Sequence, residues 1–140
     1  QEYIEESHGQ DIRAFVVGGE VVASMLRKAH GSEFMSNFHL GGSVSNVELS
    51  EDQSEIAVRA AETLGLDIAG VDMLDSSRGP LVLEVNSSPG LEGIEKATRV
   101  NVAGKVAEHL TRLKRAIDQY SGSSSSDRLD NGTRQGYRAY

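Results

Sequence analysis

Two short apolar runs separated by a polar turn constrain this chain most. Gly70-Val71-Asp72-Met73-Leu74 and Leu81-Val82-Leu83-Glu84-Val85-Asn86 flank Asp75-Ser76-Ser77-Arg78-Gly79-Pro80, the pattern of a β-hairpin. Side chains alternate between the two faces of a strand. Val71 and Met73 are therefore expected on one face with Leu81, Leu83 and Val85, and that face can be core. Asp72, Glu84 and Asn86 fall on the other. A turn centred on Ser77-Arg78 sets Asp72 almost opposite Glu84. Like charges directly opposed across strands destabilise a sheet, so the pairing makes sense with a cation between them. Two carboxylates and an amide oxygen are hard ligands that suit Mg²⁺. A plain solvated face of an antiparallel sheet accounts for the same spacing, and spacing alone favours that simpler reading.

At 140 residues the chain is one domain's worth, long enough for a core. Its net charge of −7 argues against direct nucleic-acid binding through a basic face. An acidic chain that binds an anionic nucleotide needs local cations, and Mg²⁺ would supply them. With no cysteine, disulfides and thiolate zinc sites are excluded. His8, His30, His39 and His109 show no metal-ligand spacing. No run is apolar enough to span a membrane, and a cytoplasmic location is the expectation. The chain opens on Gln1 in what reads as mid-domain, so a fragment of a longer protein is expected.

Along the chain, Glu2-Tyr3-Ile4 is a short extended run leading into the polar stretch Glu5 to Gln10. Ile12 to Val17 and Glu20 to Leu26 read as strands joined by a tight turn at Gly18-Gly19. Lys28 to Gly42 has no clean period and reads as a long loop. Ser50-Glu51-Asp52-Gln53 is a capping box. It opens a helix to Leu64, with Ile56, Ala57, Ala60, Ala61 and Leu64 on one face and Gly65 as its stop. After the hairpin, Leu91 to Arg99 reads as a short helical turn. Asn101 to Gln119 reads as an amphipathic helix with Val102, Val106, Leu110, Leu113 and Ile117 inward and basic residues in its last turns. Residues 120–140 are Ser/Gly-rich and expected to be a disordered tail after a domain over 1–119. Strands and helices in this order give an α+β fold, an antiparallel sheet backed by helices.

The strings Gln1-Glu2-Tyr3-Ile4, Gly9-Gln10-Asp11-Ile12-Arg13, Ser36-Asn37-Phe38-His39, Gly41-Gly42, Ala69-Gly70-Val71-Asp72, Leu83-Glu84-Val85-Asn86 and Ser88-Pro89-Gly90-Leu91-Glu92-Gly93-Ile94-Glu95 carry a family resemblance. From Gln1 to about His109 the chain resembles the C-terminal part of the RimK-type α-L-glutamate ligases of the ATP-grasp superfamily. The resemblance implies the ATP-grasp fold, with this chain as its C-terminal subdomain. It also implies an ATP-dependent ligase that joins L-glutamate to a peptide C-terminus through an acyl-phosphate, the acceptor being that of a small-subunit ribosomal protein. Asp72, Glu84 and Asn86 would hold Mg²⁺ or Mn²⁺, with Glu84 as the bridge and two ions as the expected number. Glu2, Tyr3 and Ile4 would form the strand whose backbone reads adenine. Asp11 would accept hydrogen bonds from ribose. Arg27 would be the catalytic cation beside the phosphates or acyl-phosphate. Ser36 and Asn37 would contact nucleotide phosphate or substrate.

Relatives usually carry Arg where this chain has Met35 and Leu40. That departure keeps two other readings open. One is an ATP-grasp ligase for another amino acid or a cofactor acceptor; the other is a nucleotide-binding module without catalysis. The lysine-bearing half of the site lies upstream of Gln1 in relatives, so the isolated chain is expected to be inactive. Whether copies of the chain associate is left open.

Overall fold

The computed structural model describes residues 4–7, 9–29 and 43–126. The chain divides into two compact units, Gln1–Ala107 and Glu108–Tyr140. Among the described residues, the first holds a five-stranded, wholly antiparallel sheet. Its strands are β1 (Gln10–Val17), β2 (Glu20–Lys28), β3 (Ser43–Asn46), β4 (Ile68–Leu74) and β5 (Leu81–Asn86), in the spatial order β3-β2-β1-β4-β5. The helices are α1 (Glu51–Thr63), α2 (Glu92–Thr98) and α3 (Val102–Ser126), and a short 3₁₀ turn, Glu5–Ser7, precedes β1. The α+β class is as expected. The strand β3 was not; it adds to the free edge of β2 directly after the predicted loop, pairing Met25 with Asn46 and Lys28 with Ser43.

Local chemistry explains most boundaries. Gly18 and Gly19 both take positive φ, 60° and 79°. That is the geometry of the two-residue turn that matches strand twist, and it closes β1 onto β2 with Val17 opposite Glu20. The capping box is complete: Ser50 Oγ accepts from Gln53 N at 3.2 Å, and Gln53 Oε1 accepts from Ser50 N at 2.9 Å. Gln53 also donates from Nε2 to Asp75 Oδ1 at 2.5 Å, tying the helix start to the β4–β5 turn. The short helix α2 ends where Arg99 turns left-handed, φ 61°.

Both faces of the sheet are covered. On one, Ile12, Ala14 and Val16 of β1 and Ala69, Val71 and Met73 of β4 pack against Ala57 and Ala61 of α1. Alanines there let the helix lie close to the strands. On the other, Phe15, Val17, Ala23 and Met25 pack with Ile94 of α2 and Val102 of α3. This second core lies on the face expected to be the polar one. The expectation fails over half the sheet because the polarity of that face changes along each strand. β1 presents Val17 and Phe15 and then Arg13 and Asp11; β2 presents Ala23 and Met25 and then Arg27. The apolar half takes the helices, and the charged half is left at the sheet end.

The hairpin forms in the expected register, Asp72 opposite Glu84 and Gly70 opposite Asn86. One side-chain expectation is corrected. The ladder shifts between Asp72 and Met73, so Met73 pairs with Val82 and Leu83 becomes the extra residue of a β-bulge. Val85 joins Val71 and Met73 against α1, whereas Leu83 is 39% exposed.

The second helix prediction is corrected as well. Val102 is buried, but Leu110, Leu113 and Ile117 are exposed. The helix continues past the expected end at Gln119 to Ser126. Each added Ser costs only a few tenths of a kcal/mol and a Gly about 1 kcal/mol of helix propensity. A helix already propagating tolerates that. Its last turn consequently holds no basic residue. Residues 127–140 lie outside the described residues. No helix among the described residues is long and apolar enough to cross a membrane.

Candidate active site

The charged half of the sheet is built from four side chains of three adjacent strands. The β1–β2 register sets Asp11 opposite Arg27, and the β1–β4 register sets Arg13 opposite Asp72. Arg13 donates from Nε to Asp72 Oδ1 at 2.6 Å and from Nη2 to Asp72 Oδ2 at 2.7 Å, a fork-on-carboxylate pair. Arg27 reaches both acids. Its Nε lies 3.1 Å from Asp11 Oδ1 and from Oδ2, its Nη2 also bonds Asp11 Oδ2, and the same Nη2 donates to Asp72 Oδ2 at 2.7 Å. Asp11 and Asp72 are 5% and 4% exposed. Burying such charges is costly unless each is paired, and here each acid meets a guanidinium. Burial alone would lower the Arg27 pKa. The hydrogen bond to Asp11, the charges of Asp72 and Asp11 and the hydrogen bond to Asp72 outweigh it and raise the pKa above its ordinary value. Arg27 is a permanent cation.

Glu84 continues the row Met25–Arg13–Asp72–Glu84 on the outer strand β5, and it is exposed. Asn86 lies in the next row, opposite Gly70, and its Oδ1 accepts from Ser88 N at 2.8 Å. That bond fixes the direction of the amide oxygen and leaves its second lone pair available. The expected triad therefore shares one end of one sheet face, with Asp72 and Glu84 on directly paired positions. Two carboxylates and an amide oxygen are a chemically suitable set for a hard divalent cation. The structure adds a condition: both oxygens of Asp72 already accept hydrogen bonds from arginines.

The other expected site residues divide into two groups. Ile4 is buried next to the turn that enters β1. Glu2, Tyr3, Ser36 and Asn37, with Met35 and Leu40, lie outside the described residues. Asp11 does not stand open for a ribose; its carboxylate is engaged by Arg27. The residue that sequence reading missed is Arg13. Its signal was present, since Asp11-Ile12-Arg13 places Arg13 two residues from Asp11 on the same strand face. What spacing does not reveal is that β1 lies against β4, which brings Arg13 to Asp72.

This end-of-sheet cluster, on a sheet with helices on both faces, is carried by an ATP-grasp domain. Residues 1–110 match the RimK-like ATP-grasp domain, and the chain belongs to that family. The chain is 56% identical over 117 residues to a probable alpha-L-glutamate ligase of Legionella pneumophila, covering 84% of this chain and 39% of the relative. A probable alpha-L-glutamate ligase of Enterobacter sp. is 58% identical over 112 residues, covering 80% of this chain and 37% of the relative. That of Coxiella burnetii is 50% identical over 121 residues, covering 86% and 40%. The chain thus spans about two fifths of the length of the curated relatives it matches. Among solved structures it resembles the ATP-grasp ligase PsnB complexed with a phosphomimetic variant of its minimal precursor, Mg and ADP. That likeness has a TM-score of 0.62 at 26% identity, over 80% of this chain and 34% of that one. The fold is shared with D-cycloserine synthetase DcsG, TM-score 0.60 at 21% identity, over 80% and 41%.

Proposed function

We propose that this chain is the cation-binding half of an ATP-dependent carboxylate–amine ligase, and that its reaction adds L-glutamate to the C-terminus of a peptide or protein. The observation that carries this reading is the in-register opposition of Asp72 and Glu84, with Asn86 one row away and Arg13 and Arg27 on the same face. The probable α-L-glutamate ligases at 50–58% identity support the amino acid. PsnB, complexed with Mg, ADP and a precursor, supports nucleotide, metal and a peptide acceptor. A ribosomal-protein acceptor is the finer form of the proposal, and a cytoplasmic location goes with it.

Asp72, Glu84 and Asn86 would hold Mg²⁺ or Mn²⁺, two ions being the finer form of the proposal. A divalent ion there would offset charge on the transferring phosphoryl group. An acceptor carboxylate oxygen attacks the γ-phosphorus of ATP, giving an acyl-phosphate and ADP. The glutamate amine then attacks the acyl carbon, an amide bond forms, inorganic phosphate leaves, and the ammonium proton passes to solvent. No side-chain nucleophile is required. Arg27, permanently cationic and held by Asp11, is suited to stabilise developing oxyanion charge. Asp11 serves this reading by fixing Arg27, and a ribose contact would share its carboxylate. The roles of Glu2, Tyr3, Ile4, Ser36 and Asn37 toward nucleotide rest on the resemblance alone.

The test is ADP release by the full-length protein that carries this chain, with Mg²⁺, ATP, L-glutamate and an acceptor peptide. Release that requires both glutamate and acceptor is the expected result. Nucleotide binding without release, under any amino acid, would overturn the ligase reading in favour of a non-catalytic nucleotide module. Met35 and Leu40, which depart from the arginines that the family resemblance implies, favour one second reading, a different amino acid or acceptor. Release with another amino acid in place of glutamate would establish it.

A further inference from the structure

The arginine that sequence reading passed over occupies the first of the three expected cation ligands. We propose that Arg13 and the divalent cation compete for Asp72. Seating the cation turns the Asp72 carboxylate away from Arg13 and frees that guanidinium to bind an anionic phosphoryl oxygen. This rests on the reading of Asp72, Glu84 and Asn86 as cation ligands and goes beyond it.

Three observations carry the exchange. First, Arg13 covers both Asp72 oxygens, at 2.6 and 2.7 Å, and Arg27 adds a bond of 2.7 Å to Oδ2. A divalent ion on that carboxylate would lie beside two guanidinium groups, and Coulomb repulsion opposes seating it without rearrangement. Second, the two arginines are anchored unequally. Arg27 keeps Asp11 through Nε and Nη2 when Asp72 turns. Both hydrogen bonds described for the Arg13 guanidinium go to Asp72. Arg13 is therefore the group that is freed. Third, the charges balance differently in the two states. Two arginines and two aspartates cancel in the cluster, and Glu84 adds one negative charge on the adjacent strand. A dication shared by Asp72 and Glu84 cancels both carboxylates. Among the described residues of the cluster, Arg13 and Arg27 are then set against Asp11, which leaves it one net positive charge. An anion-binding fork thus exists only after the cation is seated, which orders binding as cation before phosphoryl group. Arg13 is a positioning residue in the resting state and a phosphoryl contact in the loaded one.

The test measures Mn²⁺ binding to the full 140-residue chain by electron paramagnetic resonance, for the wild type, Arg13→Gln, Arg13→Lys and Glu84→Gln. Removing a competing charge-assisted pair is expected to tighten Mn²⁺ binding about tenfold in Arg13→Gln. Arg13→Lys, which keeps the charge without the fork, is expected to fall between. With Mn²⁺ saturating, calorimetric titration with inorganic phosphate is expected to show binding at least about fivefold weaker in Arg13→Gln than in the wild type. Either shift missing, or Mn²⁺ binding that weakens in both Arg13 variants, overturns the exchange. Weakening is what an arginine that merely orients Asp72 for the ion would give. Should Arg13→Gln fail to fold by circular dichroism, the Arg13→Lys shift decides alone. Glu84→Gln separates the two levels: unchanged Mn²⁺ binding in that variant defeats the cation-ligand reading itself. Lost binding in Glu84→Gln without tightening in the Arg13 variants defeats only the exchange.

Discussion

Pro89 closes over Gly70 so tightly that a Cβ on residue 70 would lie 2.8 Å from Pro89 Cβ and 3.4 Å from its Cγ. Gly70 is the cross-strand partner of Asn86, so the bare backbone of β4 is what lets the chain fold back after β5. The bond from Ser88 N to Asn86 Oδ1 belongs to the same reversal. Gly70→Ala is expected to destabilise the domain by about 1–3 kcal/mol, as overpacking does. Removing the opposing Cβ with Pro89→Gly should relieve most of that loss. A double-mutant cycle by urea unfolding checks it, and additive losses would show that the contact is not the cause.

Arg27 is the hub of the ion-pair cluster. Arg27→Gln leaves buried Asp11 without its guanidinium, whereas Asp72 keeps Arg13. Breaking a buried pair on one side costs about 3–5 kcal/mol. The loss should be constant between about pH 7 and 10, a window set by the ordinary arginine pKa. The Arg27 pKa is raised on folding, so its stabilisation is complete below the unfolded-state value. It is lost only as pH rises through the still higher folded-state value. Urea unfolding of both proteins across that window provides the check; a difference that shrinks toward pH 10 would contradict it.

Ser50→Ala removes one half of the capping box and leaves the Gln53 N–H without its side-chain acceptor. The expected cost is about 1 kcal/mol. Hydrogen exchange should rise first in the first turn of α1, and exchange that is unchanged there would rule out the cap as the source of stability.

Ile94 is fully buried where α2 meets the Phe15–Met25 core. Ile94→Ala should cost about 2–5 kcal/mol, the range for a large aliphatic truncated in a core. Thermal unfolding measures it, and a loss below about 1 kcal/mol would mean that α2 is not anchored there.

What the sequence made legible was local. The hairpin register followed from turn length, and the α1 boundary from Ser50 and Gln53, because the residues that decide them are neighbours in the chain. The Phe15–Ile94 core was legible only in part: the unbroken run Ala14-Phe15-Val16-Val17 is that of a strand covered on both faces, but nothing near it says that helices far along the sequence supply the second cover. Arg13 was legible only as a neighbour of Asp11 on one strand face; its partner Asp72 is set by the pairing of two strands that are distant in sequence. The Leu83 bulge escaped because period-two counting assumes an unbroken ladder.

Glu84 gives the most direct test of the central claim. It is exposed on the outer strand, and no described hydrogen bond or ion pair of its side chain supports the fold. In the full-length protein, Glu84→Gln is expected to leave the thermal midpoint unchanged and to lower glutamate-dependent ADP release by at least about 100-fold, the scale of losing a key electrostatic contact at a transferring group. Full turnover in a folded Glu84→Gln protein would contradict the assignment of Asp72, Glu84 and Asn86 as the cation site.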